Sequence, residues 1–477
     1  MLYYLRTIVL KNRGYFEKMF YFQFDMNIND TLKEINESNT SKIKIAIADI
    51  DGVLRGKYIH KKKFLDSVNH QLGICDVVFG WDAGDVCYDN SKITGWHSGY
   101  PDARAKIDLS TYRKIPWENS IPLFLADFNG HEVYAKTTCS RSLLKRVAAE
   151  CENMGFKAMF AQEFEWFNFK GTPSEINQAG FDKLQPITPG MFGYSVLRTS
   201  LNSAFVNELM DFMEAFDVPL EGLHTETGPG VFEAAIYFDD VLAAADKAVL
   251  FKSGVKEIVY RHNMVASFMA KWNSKLPGCG GHLHQSLWDK NGTSNLFFSD
   301  SKNGKMSELL EQYIAGQLVC LPEILPMFAP NVNSYKRIGH GDWAPANETW
   351  GHDNRTTAVR LIQGRMESAR IESRVPGADT NPYLAMAAAL ASGLFGIKNK
   401  LKLDIPETVG NGYNTAKQVG LSKNLMDATE KMANSKIAKQ LFGEPFVDHF
   451  TRTRKWEWRQ FTNQVTDWEL KRYFEII

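Results

Sequence analysis

NVNSYKRIGHGDWAPANETWGHDNRTTAVRLIQGRMESARIESRVPGADTNPY, residues 331–383, carries arginines at 337, 355, 360, 365, 370 and 374 among Gly, Pro and Asn. A solvated helix face would space its cations three or four residues apart and balance them with Glu. Here Arg370 and Arg374 bracket a single carboxylate, Glu372, in the order A-R-I-E-S-R-V. Alternation is the period of a strand, so Arg370, Glu372 and Arg374 are expected on one face. A guanidinium stays charged and presents a rigid fork to phosphate and carboxylate oxygens. Several forks converging beside one carboxylate suit an anionic substrate held next to a metal ion. A surface ion-pair ladder is the plainer alternative.

Outward from that stretch, 477 residues exceed one ordinary core and imply two domains. Lys plus Arg equal Asp plus Glu at 55 each, so no net basic field draws the chain to nucleic acid or to a membrane surface. The six cysteines (75, 87, 139, 151, 279, 320) lack CxxC spacing, which argues against a disulfide framework or zinc site and for the cytoplasm. Residues 1–25 mix aromatics with Arg6, Lys11, Arg13 and Lys18. Their apolar runs fall short of a membrane span and of a secretory signal. A mitochondrial-type presequence and an extension upstream of a start at Met26 are the two readings left.

From Lys42 the pattern is regular. KIKIAIADIDGVLRGKYI (42–59) alternates around Asp51-Gly52, a hairpin signature. IPLFLADF (121–128), Asn129-Gly130 and HEVYA suggest a second hairpin, and CSRSLLKRVAAECENMG (139–155) has helical spacing closed by glycine. In FKAMFAQEFEWFNF (156–169), Glu163 and Glu165 share one face of an apolar strand. Buried carboxylates need a counter-charge, which an arginine or a hard cation such as Mg²⁺ or Mn²⁺ can provide. Glu226 precedes a T-G-P-G turn that lets Glu233 double back to the same point. His282, His284 and Ser286 alternate after a glycine-rich loop. HExxH, Walker and GxGxxG patterns are missing, so the common zinc-protease, P-loop and dinucleotide readings lack support.

The ordered set of motifs resembles the glutamine synthetase superfamily of ATP-dependent glutamate–amine ligases, from about Lys42 to the C-terminus. It comprises DIDGVLRGK, E-x-E, E-T-G-P-G-x-x-E, G-G-H-x-H-Q-S, P-N-V-N-S-Y-K-R, N-R-T and R-I-E-S-R-V-P-G-A-D-T-N-P-Y. The resemblance implies an α+β fold. After an extension over 1–40 come a β-grasp domain over 41–136 and an α/β catalytic domain over 137–477 with a curved antiparallel sheet. It implies two Mg²⁺ or Mn²⁺ sites, one held by Glu165, Glu226 and Glu233, the other by Glu163, His282 and Glu372. His284, Ser286, Arg355, Arg360 and Arg370 match positions that contact ATP. Gly278, Arg337 and Arg374 match positions that hold glutamate. Arg355 and an amine-deprotonating carboxylate are the catalytic candidates. That acid comes from a neighbouring subunit's small domain, here Asp82 with Asp76 and Asp85 as competitors. A homo-oligomeric ring with sites between subunits follows, with glutamate, ATP and an amine as substrates.

Departures bear on the amine. Trp343 stands where ammonia-using members carry a flap glutamate, Pro277 where an asparagine is usual, and Glu367 where a phosphate-loop lysine is usual. A counterpart of the tyrosine segment used for adenylylation is not found after Lys402. The aromatic flap position resembles γ-glutamyl polyamine and γ-glutamyl alkylamide synthetases, so an organic amine is the expected acceptor. A conventional ammonia ligase and a non-catalytic ring protein are the alternatives.

Overall fold

The computed structural model describes residues 28–128, 132–299, 306–338, 343–414 and 420–477. The leader reading of residues 1–25 and the Asn129-Gly130 turn lie outside them. The first hairpin forms as expected. Strands β1 (Lys42–Ala48) and β2 (Leu54–His60) pair antiparallel from Lys42↔His60 to Ala48↔Leu54. Alternation puts Ile43, Ile45 and Ile47 into a core. The turn closes on Asp49, whose Oδ1 accepts from the Asp51 and Val53 amides, while Gly52 takes φ 78°.

The second hairpin does not form. Strand β3 (Leu72–Cys75), β4 (Asp102–Ile115) and β5 (Ile121–Asp127) complete a sheet in the order β2-β1-β5-β4-β3. In it β5 runs parallel to β1 and antiparallel to β4, and Val133–Thr137 is helical. All seven β5 residues are buried. A strand apolar on both faces is a central one, and with β1 and β4 on its two edges none is left for the HEVYA segment.

A second sheet is organised on β6 (Phe156–Lys170). It adds β7 (Leu220–Thr225), β8 (Val231–Ile236), β9 (Asp239–Asp240), β10 (Met264–Ser267) and β11 (Leu283–Asp289). Strands β12 (Trp350–His352), β13 (Val359–Ile362) and β14 (Arg370–Ser373) complete it. The order is β12-β13-β14-β11-β6-β8-β7, with β9 and β10 also on β6, and only β12 with β13 is parallel. One face of β6 turns Phe160, Phe164 and Trp166 to the core, where Phe164 stacks on Phe251 of the helix Val241–Arg261 at 5.8 Å. The other face carries Ala161, Glu163 and Glu165.

Two cores result. One lies between the first sheet and the helix Lys61–His70. The larger one takes the sheet's other face, through Ala46, Ala48, Leu123 and Leu125, onto Leu143, Leu144 and Val147 of the helix Ser140–Asn153. That helix is the one expected over 139–155. At the centre of the larger core the helix Pro382–Lys398 meets the helix Glu308–Ile324 at bare backbone: a Cβ on Gly396 would stand 1.9 Å from the Gln312 carbonyl oxygen. Alanine gains about 1 kcal/mol of helix propensity over glycine, but overpacking costs about 1–3 kcal/mol or more. Gly396→Ala is therefore expected to lower the unfolding midpoint in urea, whereas a raised midpoint would show that the helices separate freely. Among the described residues no helix is long and apolar enough to cross a membrane.

Candidate active site

Strand register builds two rows of polar side chains across the second sheet. Glu165 on β6 lies opposite Glu233 on β8, which lies opposite His224 on β7. On the other side of β6, His284 on β11 lies opposite Glu372 on β14, and Glu372 lies opposite Arg360 on β13. Glu163, two residues from Glu165 and on the same face, joins the rows. Its carboxylate accepts from His282 Nδ1 at 2.6 Å and from His284 Nε2 at 3.3 Å. The backbone reaches this register because the Glu163 and Glu165 amides donate to the carbonyls of His282 and Gly280. Gly280 in turn donates its N–H to Glu165 Oε2 at 2.8 Å.

Glu372 is buried and saturated with cations. It accepts from Arg374 and, at 2.9 Å, from Arg360, and His282 Nδ1 lies 3.4 Å from it. Arg370 donates to His284 Nδ1 at 3.0 Å. The alternation expected of Arg370, Glu372 and Arg374 is thus realised. Arg337 is buried beside them, donating to the carbonyls of Val375 and Arg374. It fits because Gly278 has no side chain: a Cβ there would be 2.9 Å from Arg337 Cγ. Ser286 follows on β11, accepting from Trp288 at 3.0 Å. Arg355 is exposed on the turn before β13.

On the β7–β8 side, Glu226 follows the end of β7 and accepts from the Thr227 amide at 2.7 Å. Gly230, at φ 74°, lets the turn pass close to the Asn168 carbonyl. His224 stands between the two acids, its Nε2 3.2 Å from Glu233 and its Nδ1 4.0 Å from Glu226. The Tyr194 ring stacks on it at 4.1 Å. Neither residue was found from sequence. His224 had a usable signal, since H-T-E alternates as E-F-E does. Tyr194 comes from an irregular segment with no such period.

Burial, with Glu163 and Glu165 nearby, pushes the Glu233 carboxyl up to about 8, against the pull of His224. Burial acts on Glu163 as well, but hydrogen bonds from His282 and His284 hold it well below the usual carboxylate range. Burial also raises Glu372, but Arg374, His284 and His282 together outweigh it and hold the carboxyl below its ordinary range. Ligand atoms of Glu163, His284 and Glu372 lie within 4.8 Å of one another, as do those of His224, Glu226 and Glu233. Two crowded groups of carboxylate and imidazole, with the Glu233 carboxyl raised chiefly by burial, fit hard divalent cations that would relieve the crowding. Of the expected ligands, Glu163 and Glu372 gather with both His282 and His284, and Glu226 and Glu233 gather around His224, while Glu165 is placed opposite Glu233 by strand register.

Two site candidates, Asp82 and Trp343, lie off this sheet face. Asp82 sits in the loop Trp81–Lys92, where Oδ1 accepts from the Gly84 and Val86 amides and Oδ2 from Trp456 Nε1. Its competitors are otherwise engaged: Asp76 is buried against Tyr134, and Asp85 pairs with Arg55. Trp343 is 57% exposed and has a left-handed backbone, φ 62°. The flap residues 339–342 before it lie outside the described residues.

A family model, "Glutamine synthetase, catalytic domain", matches residues 137–473. The chain is 50% identical over 456 residues to "Type-1 glutamine synthetase 2" of Dictyostelium discoideum, covering 95% of this chain and 87% of that protein. It is 37% identical over 446 residues to "Glutamate--isopropylamine ligase" of a Pseudomonas species, covering 93% and 97%. Among solved structures, the "GmaS/ADP complex" superposes with a TM-score of 0.79 at 26% identity, covering 93% and 99%.

Proposed function

Because the chain belongs to the glutamine synthetase family, we propose that this ligase joins the γ-carboxylate of glutamate to a primary organic amine through a γ-glutamyl phosphate. A carboxylate repels nucleophiles and oxide leaves poorly. Once the γ-phosphoryl of ATP is transferred to it, phosphate departs readily. Such transfer is mostly positioning and charge neutralisation. Bound Mg²⁺ or Mn²⁺ would add Lewis-acid neutralisation of the phosphate oxygens. Glu165, Glu226 and Glu233 would hold one ion, and Glu163, His282 and Glu372 the other. Arg355, Arg360 and Arg370 take the ATP phosphates, and His284 and Ser286 contact ATP. Arg337, Arg374 and the backbone at Gly278 hold glutamate.

Asp82 takes the proton from the amine, which attacks only when neutral. It does so in a neighbouring copy, within a ring of identical subunits whose small domain spans 41–136 and whose catalytic domain spans 137–477. A cytoplasmic setting fits six free thiols.

The observation that carries the organic-amine reading is Trp343, exposed and held in a backbone conformation that bulky residues avoid. Losing a charge-assisted hydrogen bond to ammonium costs about 1.5–3 kcal/mol. Ammonia has no carbon with which to recover it. An alkylamine recovers about 0.8 kcal/mol per methylene packed on the indole, plus about 0.5–2 kcal/mol if its cation lies over the ring. The relative named for isopropylamine supports this reading. The Dictyostelium relative, more similar and named a glutamine synthetase, favours ammonia instead.

Phosphate release with ATP, glutamate and a panel of ammonia, ethylamine, ethanolamine, putrescine and spermidine separates the two. An organic amine is expected to exceed ammonia by about tenfold in kcat/KM, and Trp343→Glu to narrow the gap. Ammonia outrunning every amine on the panel would overturn the organic-amine reading.

A further inference from the structure

The loop Trp81–Lys92, which bears Asp82, is gripped along one stripe of the helix Glu444–Thr462. Asp448, Arg452, Trp456 and Arg459 follow at helical spacing on that stripe. Lys92 pairs with Asp448 at 3.2 Å. Asn90 and Arg452 exchange hydrogen bonds, Asn90 Nδ2 to the Arg452 carbonyl at 2.9 Å and Arg452 Nη1 to the Asn90 carbonyl at 3.1 Å. Arg459 pairs with Asp89 at 2.5 Å. Between these tethers the Trp456 indole, 6% exposed, donates to Asp82 Oδ2 at 2.9 Å. The Tyr88 ring meets it edge-on at 5.8 Å, and the Arg459 guanidinium lies over it at 4.8 Å.

We propose that Trp456 is a positioning residue for Asp82, holding its carboxylate as a proton acceptor in amide formation; this rests on the reading of Asp82 as the base. The hydrogen-bond inventory carries the argument. Oδ1 is committed to two amides of its own turn, so the carboxylate plane is set by what Oδ2 meets. An indole N–H is a donor only. It occupies one lone pair of Oδ2, cannot take the amine's proton in Asp82's place, and leaves the other lone pair free. A hydroxyl or imidazole there could divert the proton.

Trp456→Phe keeps the ring in its stack and removes the donor. With an alkylamine, kcat/KM is expected to fall about tenfold, the loss of one hydrogen bond to a charged group. With hydroxylamine, largely unprotonated at neutral pH and less dependent on a base, turnover should stay near the parent's. KM for ATP and glutamate should not move. Equal losses with both nucleophiles would make the role merely structural and overturn the inference, as would no loss with either.

Asp82→Asn run in parallel keeps the two readings apart. If it leaves alkylamine turnover intact, the Asp82 reading fails and this one with it. If it is inactive while Trp456→Phe behaves as the parent, only the positioning inference fails. Should Trp456→Phe not fold, Arg459→Gln at a side chain 44% exposed loosens the same clamp. A selective loss of about threefold with the alkylamine supports the proposal, and an unselective loss or none overturns it.

Discussion

Glu163→Gln is expected to lower glutamate-dependent ADP formation by about 10²–10³-fold while the chain keeps its fold and assembly. The size follows from what removal of one preorganised electrostatic group costs in phosphoryl and acyl transfer. Glu163 stands between the two rows of the site: His282 and His284 both donate to it, and its charge helps raise the Glu233 carboxyl. An amide is isosteric, so packing is kept. It carries no charge for a divalent cation, and its NH₂ would turn a donor toward two imidazoles. Steady-state ADP release, Mn²⁺ titration by calorimetry and light scattering read the three consequences separately. Near-parental activity would remove Glu163 from the metal assignment. Glu372→Ala is a poorer test of the same idea. Its buried carboxylate neutralises Arg360 and Arg374, and stranding them risks about 3–5 kcal/mol of stability, which would mask any catalytic effect.

Arg141→Met should cost about 3–5 kcal/mol of stability, because it strands buried carboxylates. The buried Arg141 forks onto Asp246 with two contacts of 2.8 Å, reaches Asp108 at 2.9 Å and contacts Asp127. Tyr383 donates to Asp246 at 2.7 Å. This network ties the first sheet to the helices Val241–Arg261 and Pro382–Lys398, so the loss should appear as a lower urea midpoint. It also has a pH signature. Burial raises the Asp108 carboxyl, but Arg141, Lys145 and Ser110 hold it well below its ordinary range. Below the unfolded value, near 4, the unfolded chain binds the extra proton, so the parent loses stability as pH falls. That acid slope should flatten in Arg141→Met, with Lys145 and Ser110 retaining part of it. An unchanged midpoint and slope would show that the carboxylates are solvated in practice.

Local period was legible in the amino-acid sequence. Alternation gave the β1–β2 hairpin and its Asp-Gly turn, and it put Glu163 with Glu165 and Arg370 with Glu372 and Arg374 on common faces. Glycines marked where Glu226 and Glu233 double back. These are short-range consequences of chirality and of side chains alternating about an extended backbone, so a few neighbouring residues suffice. The ordered motifs then added the ligand sets by resemblance.

Only the tertiary structure decided which strand lies beside which. Alternation assigns a face and says nothing about the neighbour across the hydrogen bonds. By sequence alone IPLFLADF therefore suggests a hairpin arm, although in the fold it is the strand flanked by β1 and β4. The same reason hid His224, whose role appears once β7 and β8 register it against Glu233 and Glu165. It hid the hold of Trp456 on Asp82 too, across 374 positions of sequence. Pairing over such separations depends on the whole core closing around it, and no local pattern records that.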